Sequence, residues 1–138
     1  MQKASETIYN ILKENHDSII VKTLRGKSHI FTLSSDETYI ESQTALRSQK
    51  LGLNCFDIVM EFLLENGGKV LKGGSRDKKS KVGQGKCTQD TVCGCIAMNY
   101  YGHIEGESTF DPVFAVSAIL EYAGICNNKH GWLEIKCY

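Results

Sequence analysis

The sequence predicts a mixed α+β fold in one domain spanning residues 1–138, and three observations lead there. Apolar residues recur at helical spacing in four separate segments. Short β-branched runs bounded by Gly, Ser and Asn lie between and after those segments. The composition, 41% hydrophobic and 23% charged, is that of an ordinary globular chain, and 138 residues suffice to bury a core.

The first helix is short. Ala4, Ile8, Ile11 and Leu12 stand at i, i+4, i+7 and i+8, and the pattern runs out in the polar stretch ENHDS. Two β-rich runs follow, SIIVKTL from Ser18 and HIFTL from His29, on either side of RGKS, which predicts a hairpin. Thr38-Tyr39-Ile40 is a third strand candidate. From Glu41 to Asn54 the residues are polar and carry no period that assigns an element.

Asn54 is placed to cap the next helix, with Asp57 in its first turn. Phe56, Val59, Met60, Leu63 and Leu64 share one face of it, and Asn66-Gly67-Gly68 ends it. Lys69-Val70-Leu71 is a short strand candidate. Further on, Thr88 is expected to cap a helix that carries Val92, Cys95, Ile96 and Tyr100 on one face and stops at Gly102. Asp111 caps the last helix, with Pro112 in its first position, where a missing N–H costs nothing. That helix runs through VFAVSAILEYA to Gly124. Two short apolar runs then flank Asn127-Asn128-Lys129-His130-Gly131, a hairpin with a Gly-containing turn. Phe56, Val59, Leu63, Val92, Ile96, Val116, Leu120 and Leu133 form the expected shared core.

Over residues 54–136 the order is helix, short strand, two helices and β-hairpin. It resembles the order of a winged helix-turn-helix, in which a third helix is followed by a wing. The expected architecture is thus an N-terminal helix and β-hairpin (1–53) followed by a winged-helix-like half (54–138). The last helix is unsuited to reading DNA. Its only clearly polar side chains are Ser117 and Glu121, where a reading helix offers Arg, Lys, Asn or Gln to base edges. Such a helix belongs in the core.

Charge carries the functional signal. The chain has 16 basic and 16 acidic residues, yet Lys69, Lys72, Arg76, Lys78, Lys79, Lys81 and Lys86 crowd into positions 69–86 with Asp77 as the sole acid. The window is +6 and the remainder −6. A block of this kind is either a solvated loop or a docking site for an anion. With Asn128, Lys129 and His130 at the hairpin tip, and with Arg25 and Lys27 of the first hairpin turn as further candidates, it points to phosphate contacts on nucleic acid, duplex or single strand. The alternative partner is an acidic protein held by the same loop. Trp132, Tyr100 and Tyr101 are flanked by Ile, Leu and Met and are expected in the core rather than stacked on bases.

Other motifs are weaker. GQGKCT (83–88) resembles the end of a phosphate-binding loop, but Ser80 and Cys87 stand where Gly and Ser or Thr are needed. What survives is a cluster of glycines and Lys before a helix start, a place for an anion. His103, Glu105 and Glu107 alternate in GHIEGES, but the glycines make that stretch a turn rather than a metal strand. Cys87, Cys93 and Cys95 are spaced C-x5-C-x-C, which does not bring two thiolates to one zinc. The six cysteines are therefore expected to be free thiols. Cys87 beside Lys86 would have a lowered pKa, but no base is assigned to it, so catalysis ranks below binding. No cofactor or metal is indicated. The polar N-terminus and the absence of any apolar run near ~20 residues give the expectation of a cytoplasmic protein with no membrane partner.

Overall fold

A computed structural model of the chain describes residues 2–136, so Cys137 lies outside the described residues. Helix α1 (Ala4–Glu14) buries Ala4, Ile8 and Leu12, as its spacing predicts. Its start is held from outside: the Ser5 N–H donates to Asp57 Oδ1 at 2.9 Å. The acid expected to serve the second helix thus caps the first. Left-handed residues His16 and Asp17 (φ 57° and 69°) then turn the chain into a sheet.

Strands β1 (Ser18–Lys22), β2 (Ser28–Leu33), β3 (Tyr39–Glu41) and β4 (Leu51–Gly52) form that sheet in chain order, each antiparallel to the next. The two-residue period places Ile19, Val21, Phe31, Leu33 and Ile40 inward. Paired Ile20 and Ile30 face outward and are 64% and 57% exposed. The segment without a sequence pattern supplies β4 and the turns before it. Ala45, Leu46, Leu51 and Leu53 are buried there, but their spacing follows neither a helical nor a strand period.

Helix α2 (Asn54–Glu65) buries Cys55, Phe56, Val59 and Leu63. Asn54 is its first residue rather than its cap; Leu53 holds the cap position, with no side-chain cap bond. Gly67 and Gly68 (φ 84° and 86°) then reverse the chain into β5 (Lys69–Leu71).

The third helix departs furthest from expectation. It begins at Val92, not after Thr88, because Thr91 is held beside Leu71 in a parallel bridge and stays extended. The Thr91 hydroxyl accepts from Gly94 N at 3.0 Å and is the cap. Helix α3 (Val92–Cys95) widens at once into a π-helical turn (Ile96–Tyr100), and Gly102 (φ 73°) ends the run. Residues Val92 to Ala97 are all buried, so the segment is enclosed all round rather than on one face.

At helix α4 (Val113–Tyr122) Pro112 holds the cap position rather than the first helical one. Asp111, one residue earlier, serves the helix start through its Oδ1, which accepts from Val113 N at 3.0 Å. Val113 and Ala115 to Leu120 are buried, so α4 is a core helix. The chain closes with β6 (Cys126–Lys129) and β7 (Trp132–Ile135), and β7 pairs antiparallel with both β6 and β5 in a second sheet of order β5-β7-β6. The hairpin turn is only His130-Gly131, with Gly131 at φ 78°, so pairing reaches Lys129↔Trp132. Asn127, Asn128 and Lys129 are strand residues, not tip residues. All eight expected core residues are fully buried, in one apolar cluster that takes side chains from both sheets. Among the described residues, no helix is long and apolar enough to cross a membrane.

Candidate functional site

The basic segment is a folded loop rather than a solvated tether. Val82 is fully buried and Ser80 is 2% exposed. The GHIEGES turn clasps Val82, whose N–H donates to Glu107 O at 3.0 Å and whose carbonyl accepts from Gly106 N at 2.9 Å. The Ser80 hydroxyl accepts from Lys86 N at 2.9 Å. At the neck, Gly74 N donates to Lys86 O at 3.0 Å. Gly73 (φ 66°) lies so close that a Cβ there would strike the Lys86 carbonyl and the Thr91 side chain. Asp111 fastens the loop to α4, its Oδ2 accepting from Ser75 N at 3.0 Å.

This anchoring forms one wall of a crevice of about 870 Å³ between the β1–β2 turn, the loop and the β6–β7 turn. Lys72, Arg76 and Lys86 line it from the loop, Arg25 and Lys27 from the β1–β2 turn, and Arg47 from the stretch before β4. Against these six cations stand Asp77 and Asp111, a formal +4 with His29 and His130 neutral. Both carboxylates are already engaged. Asp111 accepts from two backbone N–H groups, and hydrogen bonds led by the Ser80 hydroxyl hold the Asp77 carboxyl below its usual range.

The interior of the crevice is mixed. Phe114 contributes its ring, with the Arg76 guanidinium 5.0 Å from the centroid and His29 edge-on at 5.9 Å. His29 is buried and its Nδ1 is 2.7 Å from Thr44 Oγ1. Lys72 is pinned by its backbone between Gly131 and Cys93, and burial lowers its pKa below the usual lysine value. Asn128 is 5% exposed, and its Oδ1 has no hydrogen-bond partner.

The residues singled out in the sequence separate into three groups. Lys72, Arg76, Lys86, Asn128 and His130 meet at the crevice with Arg25 and Lys27. Lys78, Lys79 and Lys81 are exposed on the loop but do not line it. Lys69 and Lys129 belong to the outer face of the second sheet, beside Trp132; Lys69 Nζ lies 4.8 Å from the indole. Trp132 is 40% exposed, contrary to its expected core placement. Tyr100 and Tyr101 do pack against the core, and the Tyr100 hydroxyl accepts from Gly52 N at 2.8 Å. Asn128, expected at an open hairpin tip, is instead buried by strand pairing. Arg47, His29 and Phe114 were missed, because no local pattern in the sequence brings them to the loop.

The remaining chemical candidates resolve differently. His103 Nδ1 lies 3.5 Å from Glu107 Oε1, and among the described residues no three His, Cys, Asp or Glu side chains cluster as a metal site. Cys55, Cys87, Cys93, Cys95 and Cys126 are free and buried. The Cys87 thiol is not activated: burial raises its pKa, against the lowering expected from neighbouring Lys86, and the opposing influence is the Cys93 hydrogen bond. Comparison of the chain with protein-family models, curated proteins and solved structures finds no match.

Proposed function

We propose that the chain is a nucleic-acid-binding module that holds phosphates through the cations of the crevice, in a fold whose C-terminal half is winged-helix-like. The observation that carries this is the convergence of six cations, from three segments distant in sequence, on one recess where, among the described residues, the two carboxylates are committed to internal hydrogen bonds. Cations gathered this way repel one another unless an anion joins them, and a polyanion satisfies several at once. The winged-helix-like arrangement is supported by the strand order β5-β7-β6 and by the sequence of elements from α2 to β7. Because α4 is buried, the contacts fall to loops and go to phosphates, which position a ligand without reading its sequence.

The test is binding of labelled mixed-sequence duplex and single strand across several salt concentrations. Affinity is expected to fall steeply, with a log–log slope of about −0.9 per duplex phosphate neutralised or about −0.7 per single-strand phosphate. Absence of binding to either form at low salt would remove this reading. A salt-sensitive complex with an acidic protein instead, lost when Lys78, Lys79 and Lys81 are all reversed to Glu, would favour protein docking through the loop.

A further inference from the structure

We infer that the crevice seats an unpaired nucleic-acid strand, with a base against Asn128 and phosphates on the surrounding cations. The inference rests on the proposed nucleic-acid binding and specifies the form of the ligand.

Shape is the first argument. Duplex recognition sends a protein element into a groove ~12 Å wide. Here the geometry is inverted: the β1–β2 turn, the basic loop and the stretch before β4 carry the cations around a recess of about 870 Å³, within the ~300–1,000 Å³ of sites that enclose small ligands. A paired helix cannot enter such a recess, whereas a strand with splayed bases can.

Asn128 is the second. A buried amide oxygen without a partner costs free energy, and native structures rarely leave one. This one belongs to a side chain that lines the crevice beside the His130-Gly131 turn; the oxygen itself is closed to solvent, so a base reaches it only as that turn shifts. Base edges present amino donors and ring acceptors in the pattern that an Asn amide matches. The amide, one donor beside one acceptor, also matches the Watson–Crick edges, which pairing occupies in a duplex and a single strand leaves free.

The third argument is the platform. Arg76 is exposed, and its guanidinium rests over the Phe114 ring at 5.0 Å. Unpaired bases stack on flat guanidinium and aromatic surfaces of this kind. Lys72 is half-buried and burial lowers its pKa; a phosphate beside it would favour its charged form.

The test compares fluorescein-labelled DNA and RNA strands of about 12 nucleotides with the duplexes of the same sequences, by anisotropy at low salt. The strand is expected to bind at least about tenfold more tightly than the duplex. Arg25→Glu with Lys27→Glu, on an exposed turn, should abolish strand binding without affecting folding, whereas reversing Lys78, Lys79 and Lys81 should change it about threefold or less. Asn128→Leu, which removes the orphaned amide at similar volume, should weaken the strand about tenfold. Equal affinity for duplex and strand, or strand binding untouched by the Arg25/Lys27 reversal or by Asn128→Leu in folded protein, would overturn the inference while leaving nucleic-acid binding in place. Binding of neither form would overturn both.

Discussion

The sulfurs of Cys87 and Cys93 stand 3.1 Å apart, with 0% and 2% of the two residues exposed. The contact joins the end of the basic loop to the first turn of α3. Burial raises both thiol pKa values, so both sulfurs carry protons at neutral pH. Native protein should therefore react with iodoacetamide about a hundredfold or more slowly at Cys55, Cys87, Cys93, Cys95 and Cys126 than the unfolded chain does. Peptide mass mapping of timed reactions checks this. Rapid native labelling of Cys87 would mean that the loop end opens freely.

The same burial links stability to alkaline pH. Burial alone pushes the Cys126 thiol from 9.0 to about 12, and Cys55 and Cys93 move in the same direction. Below about pH 9 folded and unfolded chains both hold these protons, and the contribution is whole. As pH climbs, the unfolded chain loses its thiol protons first, so stability should decline from about pH 9 towards about 12. Urea denaturation at a series of pH values measures it. The Cys126→Ala variant should show a shallower decline.

Leu120 is fully buried within α4, and Leu120→Ala should cost roughly 2–5 kcal/mol. Thermal and urea unfolding both report it. A loss under about half a kcal/mol would contradict the enclosure of the helix.

Where a residue's role is local, the sequence revealed it. The spacings in α1 and α2, the nearly all-apolar run of α4, the β-rich runs of β1 and β2, and the helix boundaries at Gly102 and Asp111 are read within a few residues of chain. Thr91 displaced Thr88 as a cap because of a bridge to Leu71, twenty residues away and invisible to any local pattern. The loop shows the same division. Its charge was evident, but its anchoring depends on Val82 meeting residues 106 and 107. Arg47 and Phe114 join the crevice only through tertiary packing. Asn128 was noticed for its polarity and misplaced for want of the exact turn length.

Val82 is the loop's apolar anchor, and its truncation tests whether the crevice needs a rigid wall. Val82→Ala should cost about 1.5–3 kcal/mol if the loop melts with the global fold. A smaller cost with faster proteolysis after Lys78 or Lys81 would show the loop opening by itself. In either case ligand affinity should fall, because the cations lose the backbone that gathers them.

Trp132 is the sole tryptophan of the chain, 40% exposed beneath the Lys69 ammonium and one residue beyond the turn that borders the crevice. Its emission thus comes from a single position, on β7, the central strand of the second sheet. The molecule carries an intrinsic optical probe at that strand: a ligand that reorders the His130-Gly131 turn or displaces the Lys69 charge alters the indole's surroundings and hence its colour or intensity. Occupancy and unfolding can both be followed on unlabelled protein, with no dye added near the basic surface that a dye would itself disturb.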